Sequence, residues 1–306
     1  MNNYMTLALG VVSAGIGGEL FVRGVIGLAH WARVSAGIIG ATVAAFATSS
    51  PELSVAISAA LAGKPQISLG DALGSNVVNV ALILGIALII SGIQSSRVSV
   101  KRDFSIALLT PVIIGILSLD GLLSRTDGIL LLCFFIAWII SVVLEARKQR
   151  SAADEVLGEH RSWLVIISCL AGLGFLVIAG RLIVTGAKGI AVAYGIDEFV
   201  IGATVVAIGT SVPELATTII SKIRKHDEVG LGTILGSNIF NGLFIIAVAA
   251  IIYPITVSLR EVAVTLMFGF IAVAVTFPSL SGLIERRRGI LLLILYSSYV
   301  VTILQR

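Results

Sequence analysis

GATVAAFATSSPEL at residues 40–53 returns at residues 202–215 as GATVVAIGTSVPEL. LGDALGSNVVN at 69–79 returns at 231–241 as LGTILGSNIFN. Both pairs share one offset of 162 residues, and between 40–79 and 202–241 eighteen of forty positions are identical without a gap. The register extends backwards, because Gly18, Gly24 and Gly27 answer Gly180, Gly186 and Gly189. The 306 residues therefore read as two related halves.

Composition places both halves in a membrane. The chain is 57% hydrophobic and 12% charged, with a mean hydropathy of +1.07. A soluble domain carries roughly 25% charge. A helix needs about 20 apolar residues to cross about 30 Å of hydrocarbon. Ten such spans are expected, at about 5–29, 37–62, 67–92, 104–119, 126–145, 163–186, 198–221, 230–253, 261–278 and 288–303. The first carries Glu19 and Arg23 and lacks a basic leader, so it reads as a span and not as a cleaved signal. That acid and base stand at i,i+4, where they can neutralise each other.

Loops after odd-numbered spans hold fourteen Lys and Arg, and loops after even-numbered spans with the C-terminus hold five. This bias puts the odd loops in the cytoplasm and both termini outside. It also accounts for the net charge of +4 without a nucleic-acid partner. The expected fold class is an all-α integral membrane protein of ten transmembrane helices in two inverted five-helix repeats. Residues 1–145 form the first repeat, 146–162 a cytoplasmic linker and 163–306 the second repeat. Five spans per half is odd, so the second half enters the bilayer from the opposite side. Opposed halves of this kind are a transporter architecture, with the site near the midplane.

Glu52 and Glu214 fall at equivalent mid-membrane positions. A carboxylate there costs roughly 2.5–3.5 kcal/mol on insertion scales. Thr48 and Ser49 precede Glu52 by four and three residues and share its helix face, as Thr210 and Ser211 do for Glu214. Pro51 and Pro213 cannot donate to the carbonyls of Ala47 and Gly209, so each helix should open just before its acid. Carbonyls near Ala45, Ala47, Ala207 and Gly209 then become available as ligands. Ser75 and Asn79, like Ser237 and Asn241, stand at i,i+4. All these ligands are hard oxygens. With two negative charges they suit Ca²⁺ better than Mg²⁺, and better than Zn²⁺ or Cu²⁺, which favour nitrogen and sulfur. The small-residue runs Gly70 to Gly74 and Gly232 to Gly236 should let helices approach closely.

ATSSPEL with GSNVVN, and GTSVPEL with GSNIFN, resemble the two alpha-repeats of the cation/calcium antiporter superfamily, in particular the prokaryotic sodium/calcium exchanger group. The resemblance covers essentially the whole chain. It implies an antiporter that exchanges Ca²⁺ for Na⁺ by alternating access in a multi-pass prokaryotic cell membrane. Under it Glu52 and Glu214 are the central Ca²⁺ ligands, shared with Na⁺, and Thr48 and Thr210 give backbone carbonyls. Ser49, Ser75, Ser211 and Ser237 serve flanking Na⁺ sites together with the carbonyls of Ala45 and Ala207, and Asn79 and Asn241 complete the ring. Spans 1 and 6 slide against the rest. Three departures stand out: Ala47 where the family commonly has Gly, Asp71 where it often has Asn, and Arg181 where many relatives carry an acid.

The alternative is a cation/proton antiporter of the same superfamily. Those relatives typically show Gly-Asn three residues before the acid, where this chain has Thr-Ser twice. An intramembrane hydrolase is disfavoured, because His30, His160 and His226 all fall in loops. Cys133 and Cys169 lie in apolar runs and suggest neither a disulfide framework nor a metal cluster. The expected partners are Ca²⁺, Na⁺ and the lipid bilayer, with no resident cofactor and no enzymatic activity.

Overall fold

The computed structural model describes residues 2–95, 100–152, 162–193, 207–279 and 281–305. It is almost wholly helical. Helix α1 runs Asn3–Ala32, α2 Ala36–Thr48, α3 Ser50–Leu61 and α4 Pro65–Ile90. Strand β1 (Ile93–Gln94) leads to α5 (Ser105–Leu117), β2 (Leu122–Leu123) and α6 (Arg125–Ala152). The second half follows with α7 (Ser162–Ala193), α8 (Ala207–Thr210), α9 (Val212–Ile223) and α10 (Asp227–Ile252). Strand β3 (Ile255–Thr256), α11 (Leu259–Thr276), β4 (Leu283–Ile284) and α12 (Arg287–Leu304) complete the chain.

Six described helices are long and apolar enough to cross a membrane, or seven if α2 and α3, bent by 44°, count as one span. Helices also stand at the expected fourth and ninth spans, although α5 and α11 are short. Residues 198–206 of the expected seventh span and 153–161 of the expected linker lie outside the described residues. Helix α6 continues to Ala152, past the boundary expected at 145.

Helices α4 and α10 form the centre, with 72% and 83% of their apolar windows buried, against 11% for α12. Around them α1 and α7 pack antiparallel along their length, and glycines set the distance. A Cβ on Gly24 would stand 2.5 Å from Cys169 Sγ, and one on Gly186 would stand 2.7 Å from the Leu7 backbone. Positions 7 and 169 are one repeat apart, as are 24 and 186, so the two contacts are equivalent under the 162-residue offset. Gly18 meets α9 at Ile220 and the Ala216 carbonyl, and Gly180 meets the Gly209 carbonyl. Of the small-residue runs, only the second behaves as expected. Gly232 and Gly236 abut the α2 backbone at Gly37 and Ala41, whereas Gly70 faces open space and Gly74 makes only ordinary contact with Tyr299.

Four features depart from the expected all-helical pattern. Antiparallel pairs β1–β4 (Ile93↔Ile284) and β2–β3 (Leu123↔Ile255) each join the two halves. Two residues are too few to show a strand's alternation. Asp103, expected at a water-facing boundary, is fully buried. It accepts from Arg102 Nε at 2.7 Å and from Trp138 Nε1 of α6 at 3.2 Å. Lys222, also expected in a loop, is buried, and its Nζ donates to the Gly92 carbonyl at 2.6 Å and to Asp227 at 2.9 Å. Glu19 pairs with Arg23 as expected, but it also accepts from Arg224 Nε at 2.9 Å, joining α1 to the end of α9.

The packing predicts a contrast within α1. Gly24→Leu forces the α1–α7 contact apart and should cost about 1–3 kcal/mol, read as a lower melting temperature of the detergent-purified chain. Gly15→Leu, where a Cβ meets nothing within 4 Å, should leave it unchanged.

Candidate cation site

The helices break where the prolines require. Between α2 and α3, Ser49 takes φ −86° and ψ 8°; between α8 and α9, Ser211 takes φ −86° and ψ 11°. Both prolines then sit in the first turn of the next helix, where a missing N–H costs nothing. Each acid follows its proline and so enters the protein on the first turn of a new helix. The facing helices loosen too. Wide π-helical turns occupy Val78–Leu84 of α4 and Phe240–Ile245 of α10, again one repeat apart, and carry Asn79 and Asn241. Such turns frequently mark functional sites. Another spans Gly40–Ala44 in α2.

These breaks collect the expected residues in one buried region. Ala45, Thr48, Ser49, Glu52, Ser75, Asn79, Ser211, Glu214, Ser237 and Asn241 are all buried. Thr210 is partly buried, and Ala207 opens α8. The halves interlock here. Ser49 Oγ of the first half donates to Glu214 Oε1 of the second at 3.2 Å, and Ser237 Oγ donates to the same oxygen at 3.2 Å. Thr48 Oγ1 lies 3.5 Å from Ser237 Oγ. Helix α8 packs against α4, and the end of α2 packs against α10.

Glu52 Oε2, Glu214 Oε2, Ser75 Oγ, Ser211 Oγ, Asn79 Oδ1 and Asn241 Oδ1 are buried oxygens without a hydrogen-bond partner. Leaving such a group unpaired ordinarily costs about 1–3 kcal/mol, more for a charged one. All six come from the sequence-derived ligand set, and the set has no nitrogen or sulfur donor. A dehydrated hard cation is the partner this chemistry fits. No group of three or more His, Cys, Asp and Glu able to hold a metal occurs among the described residues. A cation held here would meet two carboxylates supplemented by neutral oxygens.

The expectation of bare carbonyls needs correction at two positions. The Ala45 carbonyl accepts the Ser49 N–H at 3.0 Å and the Thr48 hydroxyl at 3.3 Å. The Ala47 carbonyl, abandoned by Pro51, is taken by Ser50 Oγ at 2.7 Å. A serine beside the break folds back onto the oxygen that the proline frees. Arg181 is exposed and makes no ion pair among the described residues.

The sequence reading missed four polar residues here. Asn76 Nδ2 donates to the Asn238 carbonyl at 3.1 Å, and Asn238 Nδ2 donates to the Asn76 carbonyl at 3.1 Å. These reciprocal bonds join α4 to α10 between residues separated by 162, the repeat offset itself. Asn79 Nδ2 also donates to Asn238 Oδ1 at 3.1 Å, which orients the Asn79 amide with its oxygen unpaired. The signal was present, since both asparagines belong to the repeated GSN. Thr217 and Thr218 stand three and four residues beyond Glu214, buried and with unpartnered hydroxyls; Val55 and Ala56 hold those places after Glu52.

Known proteins resemble this chain in sequence and fold. The sequence model of the sodium/calcium exchanger protein family matches residues 3–144 and 163–305. The chain belongs to that family. It is 27% identical to the sodium/calcium exchanger MaX1 of Methanosarcina acetivorans, over 98% of each chain. It is 34% identical to the inner membrane protein YrbG of Escherichia coli, over 71% of this chain and 70% of that one. The fold superposes on the sodium-calcium exchanger NCX_Mj, soaked with Na⁺ and Sr²⁺, with a TM-score of 0.84 and 31% identity over 98% of each chain.

The reciprocal asparagines predict two separable losses. Asn76→Ala and Asn238→Ala should each lower stability by about 1–3 kcal/mol in thermal melts. The double variant should lose about the two losses added, because each amide donates to the other residue's backbone carbonyl, which an alanine keeps.

Proposed function

We propose that this family member exchanges Ca²⁺ for Na⁺ across a prokaryotic cell membrane. The site is built on Glu52 and Glu214. The observation that carries the reading is a set of six unpartnered buried oxygens, two from the acids themselves and four neutral, supplied by both halves of the chain. A Ca²⁺ ion entering it must shed water, and only the two carboxylates can cancel its charge. Asn79, Asn241 and the backbone at Thr48 and Thr210 add neutral oxygens. Ser49, Ser75, Ser211 and Ser237, with the carbonyl of Ala207, suit Na⁺ beside the same acids. The two cations thus compete for one pair of charges, which makes the process an exchange.

In this reading ten spans form two inverted five-helix repeats, 1–145 and 163–306. They are joined by a cytoplasmic linker, with both termini outside. The offset-related contacts of α1 with α7 and of Asn76 with Asn238 support the internal symmetry. Alternating access comes from the α1–α7 pair sliding on the core, and its glycine-lined contacts with α9 and Gly209 support a smooth track. Asp71 stands one turn before Ser75 on the same helix face and is partly exposed, which suits an acid at the outer approach.

Two experiments test this. In proteoliposomes, ⁴⁵Ca²⁺ flux should follow an imposed Na⁺ gradient; flux that ignores Na⁺ and follows a pH gradient instead makes the protein a cation/proton antiporter. Glu52→Gln and Glu214→Gln should each abolish Ca²⁺ transport while the chain still folds and inserts. One lost charge at 4 Å is worth roughly 4 kcal/mol at an effective dielectric of 20, or about a thousandfold in affinity. Asp71→Asn should alter rate or apparent affinity without abolishing exchange. Normal transport by either Gln variant would remove the acids from the site.

A further inference from the structure

Helix α12 leaves a groove of about 560 Å³ against α4, on the outer face of the protein and away from the candidate cation site. Its floor is apolar, formed by Ile89 of α4 with Ile290, Leu293, Ile294 and Val301 of α12. Ser297, Ser298 and Thr302 also line it, but their hydroxyls donate back to the carbonyls of Leu293, Ile294 and Ser298 within α12. The groove therefore asks for no polar partner along its length. From Ile290 to Thr302 it runs about 18 Å at 1.5 Å per residue. That is close to one leaflet, half of a hydrocarbon core of about 30 Å.

One end of the groove is basic. Arg286, Arg287 and Arg288 stand at the start of α12, and each is committed differently. Arg288 donates to the Val275 carbonyl at 3.1 Å and to the Phe277 carbonyl, closing the end of α11. Arg287 pairs with Glu285. Arg286 is exposed and has no partner among the described residues. A second groove of about 530 Å³, between α5 and α11, runs instead toward Ser118 and Leu119, next to Asp120.

We infer that the α12 groove binds an anionic phospholipid, with its phosphate at Arg286 and an acyl chain along Ile290, Ile294 and Val301. The argument is charge complementarity at one end of an apolar channel of leaflet length. It holds whichever ions the protein exchanges.

The test uses the purified full chain in mixed micelles with dioleoyl-phosphatidylglycerol or dioleoyl-phosphatidylcholine, and counts retained lipid by native mass spectrometry. Phosphatidylglycerol should be retained in preference. Arg286→Gln should reduce that preference about fivefold, the effect of one Arg near an anionic surface. Ile294→Trp should fill the groove and reduce retention of both lipids, whereas Met267→Trp in the second groove should not. Soluble glycerol 3-phosphate should not compete, because it lacks the chain. Equal retention of the two lipids by the unmodified protein overturns the proposal, as does unchanged retention in both Arg286→Gln and Ile294→Trp. Displacement by glycerol 3-phosphate also overturns it, since the groove would then contribute nothing.

Discussion

Two carboxylates, Glu52 and Glu214, are buried at the centre of a protein that offers them no basic partner among the described residues. An isolated charge so placed is among the most unfavourable things a fold can contain. Much of the central architecture reads as a means of making that burial tolerable. Helix breaks at Ser49 and Ser211 deliver the acids on first turns, where the helix dipole favours negative charge. Ser49 and Ser237 donate to Glu214. The π-helical turns at Asn79 and Asn241 depart from regular helix where amide oxygens face the same region. What these devices leave over is a surplus of acceptors, and a surplus of acceptors is what a cation needs.

The two halves satisfy this constraint unequally. Glu214 receives two serine hydroxyls, and the helix behind it continues with buried Thr217 and Thr218. Behind Glu52 the same positions are Val55 and Ala56. Asp71 has Thr233 as its counterpart, and Thr233 is fully buried with its hydroxyl on the Val229 carbonyl. Buried Lys222 answers Ala60, and exposed Arg181 answers Glu19. The proposed ion ligands are matched between the halves, whereas Thr217, Thr218, Asp71, Lys222 and Arg181 have unlike counterparts. That division suits a transporter whose two sides meet different ion concentrations.

The buried polar residues of the candidate site were legible because a gapless repeat marks equivalent positions, and because an acid after proline in an apolar run has few structural explanations. Pro51 and Pro213 announced the breaks, whereas Gly24 and Gly186 stood out only as repeat register, and their close α1–α7 contact emerged in the fold. Other features had no local signature. Nothing near Lys222 says that its ammonium will meet the Gly92 carbonyl, 130 residues away. Nothing near Arg224 says that it will reach Glu19. Asp103 read as a boundary charge because its partners, Arg102 and Trp138, hide it only once α5 and α6 are assembled. The Asn76–Asn238 pair was visible as a repeated residue but not as a contact, since a repeat shows equivalence and says nothing of where a symmetry axis runs.

That axis bears on how the proposed cycle can work. Two reciprocal amide bonds at Asn76 and Asn238 tie α4 to α10 at their crossing, so the centre is fixed. The α1–α7 pair meets the core partly through Gly18 on α9 and Gly180 on the Gly209 carbonyl, and partly through Phe21, Val25 and Ala29, which cluster with Ile39, Ala44 and Val229. Glycine contacts carry no side chain to interlock, and a helix can shift along them with little change in packing. The described clasp on that track is Glu19 with Arg224, and both side chains are partly or well exposed. Exposed ion pairs contribute only about 0–1 kcal/mol. A clasp of that strength can bias the pair toward one position and still release it on thermal timescales, while the site it uncovers keeps its geometry.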